Sequence, residues 1–326
     1  MLRNRTEALL ERSRYEEAIA VADRVLQHRE RPGWGYLAAK AIACRGRGHR
    51  AMGSYDEAAE DLELAVGLFR ELGEQHAAAH ALHGLGLVDK IQGRLELAEE
   101  RVAEALEILI RHGAAENPIG SAWMSRGSIA LVAGQLDLAE RCVTEALRIG
   151  RELGMDILTA SALAGLAEID RELGRLDQAE TRYEEAWRML REAGLGRALV
   201  VRLNLGIVYG LRGDHGRSRS TLLEIQRAVR RQGRKGLDGV CAGLVLPACV
   251  GLGRLDEAAE QLALAREILD VLGVAEPDVA RAAEMAAAAC SGELSQGCLE
   301  LAESQWGRAR REDDRARVAA ALALVR

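Results

Sequence analysis

The strongest constraint on this chain is a short glycine-led phrase that returns about every forty residues. Gly53-Ser54-Tyr55-Asp56-Glu57-Ala58 is echoed by Gly93-Arg94-Leu95-Glu96-Leu97-Ala98 and by Gly134-Gln135-Leu136-Asp137-Leu138-Ala139. It returns again as Gly174-Arg175-Leu176-Asp177-Gln178-Ala179 and as Gly253-Arg254-Leu255-Asp256-Glu257-Ala258. Weaker copies begin at Ser13, Gly213 and Gly292, so the starts fall at 13, 53, 93, 134, 174, 213, 253 and 292. A fixed period of this size is the mark of a solenoid, in which each unit contacts its neighbours and no separate cores form. A chain of 326 residues would ordinarily suggest two or three domains. The repeat argues instead for one array over 1–326.

Within a unit the pattern is helical. The chain has four prolines and one phenylalanine, and it is dominated by alanine, leucine, glutamate and arginine, all good helix formers. In the unit near Gln75, one helix runs from His76 to Gln92 and closes at Gly93, where glycine can take a positive φ. A second helix follows from Arg94 to about His112, with Leu95, Ala98, Val102, Ala105, Leu106 and Leu109 forming one apolar stripe. Asn117-Pro118, Asp156 and Glu276-Pro277 read as helix starts, with a capping side chain or a proline in the first turn. Arg70-Glu71-Leu72-Gly73, Arg151-Glu152-Leu153-Gly154 and Arg191-Glu192-Ala193-Gly194 read as matching ends.

Small residues recur where paired helices must meet closely. Seven residues before the turn glycine stand Gly46, Gly86, Gly127, Ala167 and Gly206. Five after it stand Ala58, Ala98, Ala139, Ala179 and Ala258, and twelve after it Ala65, Ala105, Ala146, Ala186 and Ala265. Overpacking such a seam costs ~1–3 kcal/mol. The unit at Gly213 departs from the pattern with Ser218 and Ile225, and the unit at Gly292 with Gly297 and Ser304. Pro247 should kink a first helix. Residues 1–12 are too short for a full first helix before Ser13, so the array is expected to start mid-unit. At the far end, Asp313 and Asp314 can cap a last helix, 315–325, that covers the stack through Val318, Leu322 and Val325.

These hairpins resemble the tetratricopeptide repeat in a lengthened form of about forty residues rather than thirty-four. The Leu-x-x-Leu-Gly element appears as Leu82-His83-Gly84-Leu85-Gly86, and Trp123 takes the aromatic position of the next first helix. The resemblance implies an all-α, right-handed α-solenoid of about eight helix-turn-helix repeats with a C-terminal capping helix. It also implies a context, since similar long-repeat arrays serve as sensor or regulatory segments of bacterial signalling kinases and ATPase-type transcription regulators.

Composition narrows the function classes. Net charge is -6, so the molecule is not a general nucleic-acid binder. The sequence contains no run of eighteen apolar residues, and Met1-Leu2-Arg3-Asn4-Arg5 leads into no signal core, so neither a membrane span nor secretion is expected. Cys44, Cys142, Cys241, Cys249, Cys290 and Cys298 form no C-x-x-C pair and read as reduced, buried thiols of a cytoplasmic protein. P-loop, nucleophile-elbow and zinc-protease motifs are absent. Neither an enzyme nor a cofactor is expected.

By analogy with the family, first helices line an inner groove, and partner contacts lie thirteen, ten, six and three residues before the turn glycine. This selects Lys40, Arg47 and Arg50, then His80, His83 and Lys90, then Ser121, Met124 and Ser128, and finally Glu168 and Arg171. The groove is basic early and more apolar midway. Between His28 and Gly53 the net charge is +5, and between Gly194 and Lys235 it is +8. Such segregation can steer an acidic partner. In the second segment Arg217, Arg219, Arg227, Arg230, Arg231 and Arg234 read first as a solvated outer face. Leu87 and Ser128 stand where a family clamp for a C-terminal carboxylate would need asparagine. His76, His80 and His83 share one helical face and could ligate zinc, but no further ligand completes the shell, so a polar groove surface is the preferred reading. Trp34, Tyr36, Trp123, Trp187 and Trp306 read as core.

Three functions fit. The first is an interaction scaffold or regulatory module that takes a peptide or protein in the groove. The second is a small-ligand or peptide-signal sensor, with a pocket near Trp123, Met124 and Ser128. The third is self-association into a homo-oligomer.

Overall fold

A computed structural model describes residues 9–10, 14–28, 33–193 and 197–325. Ser13 and Gly194 lie outside the described residues, as does most of the segment before Ser13. Every regular element among the described residues is helical. The chain separates into two compact units, Met1–Ile169 and Asp170–Arg326. The first contains α1 (Tyr15–Leu26), α2 (Gly35–Met52), α3 (Tyr55–Glu71), α4 (Gln75–Ile91), α5 (Leu95–Arg111), α6 (Glu116–Val132) and α7 (Leu136–Glu152). Helix α8 (Asp156–Glu172) contains the boundary. The second unit holds α9 (Leu176–Glu192), α10 (Arg197–Leu211), α11 (His215–Arg231), α12 (Lys235–Leu244) and α13 (Leu246–Gly251). It continues with α14 (Leu255–Leu272), α15 (Pro277–Ala288), α16 (Gly292–Arg308) and α17 (Glu312–Val325). Among the described residues no helix is long and apolar enough to cross a membrane.

Helices adjacent in the chain pack on each other in both units, so the repeat is a helical hairpin as expected. The hairpin turn depends on the left-handed backbone. Gly53 has φ 85° and Gly93 φ 79°, a region costly for residues with a Cβ. There the Ser54 N–H reaches back to the His49 carbonyl at 3.0 Å and closes the helix end.

The small-residue seams are close contacts. A Cβ placed on Gly86 would lie 2.7 Å from Val102 Cγ2 and 3.1 Å from the Ala98 carbonyl oxygen. The equivalent distances at Gly46, Gly127 and Gly206 are 2.9 Å to Leu62, 2.5 Å to Val143 and 2.9 Å to Leu222. In each hairpin the glycine seven residues before the turn therefore receives the branched side chain nine residues after it. Ala58, Ala98 and Ala139 are fully buried beside it.

Two hairpins add a charge clamp. Asp89 is completely buried between Arg94 at 2.6 Å and Arg101 at 2.5 Å. Asp170, equally buried, sits between Arg175 at 2.7 Å and Arg182 at 2.5 Å. The α2–α3 hairpin reverses the polarity, with Asp61 on the second helix receiving Arg45 at 2.7 Å. Removing one member of such a pair strands a charge in the core, a loss of about 3–5 kcal/mol.

The weaker repeats keep the fold by substitution of detail. Ser218, in an alanine position, is buried and donates from Oγ to the Gly206 carbonyl at 2.8 Å. Pro247 divides one first helix into α12 and α13 at Val245. Helix α17 covers the core of unit 2 through Val318 and Leu322. It begins at Glu312, so Asp313 and Asp314 lie in its first turn rather than before it. Likewise α6 begins at Glu116 after Ala115, which corrects the expectation that Asn117 caps it.

The aromatic residues divide. Trp306 is core, but Trp187 is only half-buried, with Arg191 and Arg202 at 4.5 and 4.3 Å from its ring centre. Its packing includes two cation–π contacts. Cys44, Cys142, Cys241, Cys249 and Cys298 are buried free thiols, and Cys290 is partly covered. Burial pushes the Cys241 thiol up to about 12 and that of Cys249 to about 11.

The seam geometry separates two glycines in neighbouring helices. Gly67 has nothing within 4 Å of the place a Cβ would occupy, so Gly67→Ala should stabilise the protein by about 0.5–1 kcal/mol through helix propensity alone. Gly86→Val meets Val102 and should destabilise by about 1–3 kcal/mol. Urea denaturation followed by circular dichroism measures both.

Candidate partner-binding surfaces

In unit 1 the first helices of successive hairpins touch one another, α2 on α4 and α4 on α6. This contact assembles most of the residues selected by spacing. Arg47 is exposed on α2 and Arg50 is half-buried one turn later. Opposite them on α4 stand His80, which is exposed, and His83, which is half-buried with Nε2 2.8 Å from Ser125 Oγ of α6. Lys90 donates from Nζ to Ser128 Oγ, also on α6. Glu168 of α8 acts electrostatically on Lys90. Lys40 and Met124 are partly covered, and Ser121 is exposed. Met124 Cε would lie 3.6 Å from a Cβ on Gly165, so that side chain reaches toward α8.

The charge on this face is unbalanced. Arg45, on the same helix, is tied to Asp23 and Asp61 at 2.8 and 2.7 Å. Among the described residues, neither Arg47 nor Arg50 has a carboxylate within ion-pair distance, and the buried Nε of Arg50 has no hydrogen-bond partner. Burial, then the neighbouring Arg47 charge, lowers the Arg50 pKa. Burial likewise lowers Lys90, against the opposing pull of Glu168. Burial, with smaller contributions from His80 and Arg50, holds the His83 imidazole at about 4, so it is neutral at physiological pH. The face therefore presents Arg50 and Lys90 partly stripped of water, with no carboxylate at ion-pair distance from Arg47 or Arg50 among the described residues, an arrangement that recurs at functional sites.

Arg171 belongs to unit 2. Its side chain is buried and pairs with Asp278 at 3.0 Å and Glu172 at 3.3 Å. The same residues rim a cavity of about 230 Å³ whose wall includes Ile207, Leu211, Leu244, Pro247, Ala282 and Met285. The spacing rule carried into these later repeats would have reached it. Ile207 and Gly210 lie six and three residues before Gly213, Pro247 six before Gly253, and Ala282 ten before Gly292.

Five arginines of the basic segment of unit 2 are matched to acids. Arg217 pairs with Glu180 and Glu184 and stacks on Tyr209. Arg219 binds Glu257 in a two-pronged pair, and Arg230 pairs with Asp238 at 2.8 Å. Arg202 and Arg212 also have acidic partners. A count of basic residues in the sequence misses these pairs because the acids come from other helices.

The histidines do not gather around a common point with carboxylates. His76 Nε2 lies 3.0 Å from the His112 carbonyl oxygen. Among the described residues no three His, Cys, Asp or Glu side chains are grouped to hold a metal ion. The surface beside Trp123 is an open cleft that also includes Arg126, Asp137, Arg141 and Glu145.

Residues 4–195 match the model of the MalT-like TPR region. No curated protein matches the sequence. Among solved structures, the apo quorum sensor NprR from B. thuringiensis is similar at 16% identity and TM-score 0.67, over 97% of this chain and 86% of that one. The Rap conjugation gene regulator of the plasmid pLS20, in complex with the Phr* peptide, is similar at 15% identity and TM-score 0.64, over 95% and 94%. A STAND signal-transduction ATPase with a tetratricopeptide repeat sensor, from Pyrococcus horikoshii, is similar at 14% identity and TM-score 0.66. That match covers 83% of this chain and 42% of the ATPase.

The depressed His83 pKa makes stability depend on pH in a stated direction. The unfolded imidazole titrates near 6.5 and the folded one at about 4, so between these values the unfolded chain binds more protons. Stability from this group is complete above about pH 6.5 and falls as pH drops toward 4, by on the order of 3 kcal/mol at most. His83→Gln should flatten the urea midpoint across that window relative to wild type.

Proposed function

The chain belongs to the family of MalT-like TPR regions, and on that premise we propose that it is a regulatory binding module for a peptide or extended protein segment of acidic character. The segment lies along the inner helix face of unit 1, with its carboxylates meeting Arg47 and Arg50. His80, the His83–Ser125 pair and Lys90 supply polar contacts further along the face. The observation that carries this reading is the uncompensated Arg47–Arg50 pair, since many other arginines of the chain are matched to an acid.

Binding there has a physical rationale. The Arg50 guanidinium already bears part of the desolvation cost, so an incoming carboxylate restores lost charge balance and supplies a missing acceptor. Packed helices hold these groups in place, which reduces the entropy lost on association. The chain acts in this reading by binding rather than by catalysis. A peptide-bound structural neighbour, the Rap regulator with Phr*, lends support at the level of fold.

A short fluorescent peptide of alternating glutamate and leucine provides the test. It should bind the full chain with an affinity that falls as salt rises, and its lysine counterpart should not. Combined Arg47→Glu and Arg50→Glu should weaken binding at least tenfold while helicity and melting stay unchanged. Undiminished binding by that variant would refute the assignment.

A further inference from the structure

The cavity of unit 2 has a chemistry unlike that of the basic face, and it does not depend on it. Its floor and walls are mostly apolar: Ile207 and Leu211 from α10, Leu244 and Pro247 from the broken helix, and Ala282 and Met285 from α15, with Ser218 of α11 beside them. Gly210 leaves further room on α10. Charge is confined to one edge, where Arg171, Glu172, Asp278 and Arg281 meet. Two cations and two anions there sum to zero.

The four edge groups are not equivalent. Arg171 is buried and holds the two carboxylates in place, through Glu172 at 3.3 Å and Asp278 at 3.0 Å. Arg281 is more exposed and spends only Nη1 on them, reaching Glu172 Oε1 at 2.9 Å and Asp278 Oδ1 at 3.3 Å. Its Nε and Nη2 therefore face no protein acceptor among the described residues. Glu172 accepts both arginines on Oε1, which leaves Oε2 without a protein donor among the described residues. An open two-nitrogen fork for a carboxylate and an open carboxylate oxygen for a cation thus belong to two ion-paired residues at the edge of an apolar chamber.

A molecule that satisfies all three features carries a carboxylate and an ammonium on one carbon, with an apolar branch. We propose that this cavity is a binding site for a free apolar α-amino acid, bound as its zwitterion. The α-carboxylate lies on Arg281 Nε and Nη2, the α-ammonium donates to Glu172 Oε2, and the side chain fills the space between Leu211, Pro247 and Met285. The size agrees. About 230 Å³ is below the range of roughly 300–1,000 Å³ typical of pockets for drug-sized ligands and suits a single compact molecule. The charge agrees as well, because a neutral edge gains nothing from a ligand of net charge but matches a zwitterion at both ends. A peptide terminus offers only one of the two charges, and an interior peptide segment neither.

Calorimetric titration of the full chain with L-leucine, L-methionine and L-phenylalanine tests this, with N-acetyl-leucine, leucinamide and glycine as comparisons. At least one free apolar amino acid should bind in the millimolar range or tighter, tenfold or more above both blocked leucines and glycine. Arg281→Gln should lose that binding tenfold or more. Glu172→Gln should abolish the preference for leucine over N-acetyl-leucine. Circular dichroism confirms that each variant is folded, and Leu211→Arg, which fills the chamber from a partly exposed position, serves as a second blocking variant. Absence of binding by all three free amino acids, or equal binding of the blocked forms by the wild type, would overturn the proposal. The Arg47 and Arg50 substitutions leave this cavity untouched, so the two sites fail or stand separately.

Discussion

The structure depends on how closely two helices can approach at one point in each hairpin. Where Gly86 meets Val102 and Gly127 meets Val143, less than 3 Å separates the incoming methyl from the place where a Cβ would stand. That proximity lets the alanine behind it, Ala98 or Ala139, be fully excluded from solvent. It also fixes which residues of the first helix point away from the seam. The candidate binding face follows from the same geometry, because a side chain that cannot enter the seam must line the inner surface or face solvent. Period, packing and surface are one constraint seen at three scales.

Charge is distributed on that frame by a simple rule, with local exceptions. Deeply buried carboxylates are each held by two arginines, as at Asp89 and Asp170. Isolated burial of these ions would be prohibitive, and the paired arginines with their fixed planar donors make it tolerable. Arg47 and Arg50 stand outside the rule. So do the open atoms of Arg281 and Glu172, which belong to a balanced cluster at the edge of a cavity yet retain unused donors and an acceptor. Two kinds of incompleteness thus mark two surfaces: missing counter-charge on one and missing hydrogen bonds on the other.

Much of this was legible in the sequence. Glycine can only be required repeatedly where φ is positive or where a neighbour intrudes, so the phrase beginning at Gly53 reveals both the turn and the hairpin. Counting back from the turn selected His83 and Lys90, which contact Ser125 and Ser128 of the next first helix. What the sequence concealed depended on contacts between distant positions. Arg219 reads as a solvated cation until Glu257, thirty-eight residues later in the chain, comes to face it. Trp187 reads as core, but it is only half-buried and two arginines lie over its ring. The cap expected at Asn117 moved because Glu116 is already helical and Ala115 precedes it. Counting back from the later turns reaches Ile207, Gly210 and Pro247 of the unit 2 cavity, but these residues carry no charge to mark it as a site.

The central claim is that the uncompensated arginines of α2 are the recognition element. Nitrogen-edited NMR of arginine Nε–Hε groups, followed during titration with an acidic peptide, tests it most directly. The resonances of Arg47 and Arg50 should move first and farthest, while that of Arg45, already held by Asp23 and Asp61, stays in place. Saturable binding in which Arg47 and Arg50 remain unshifted would contradict the account.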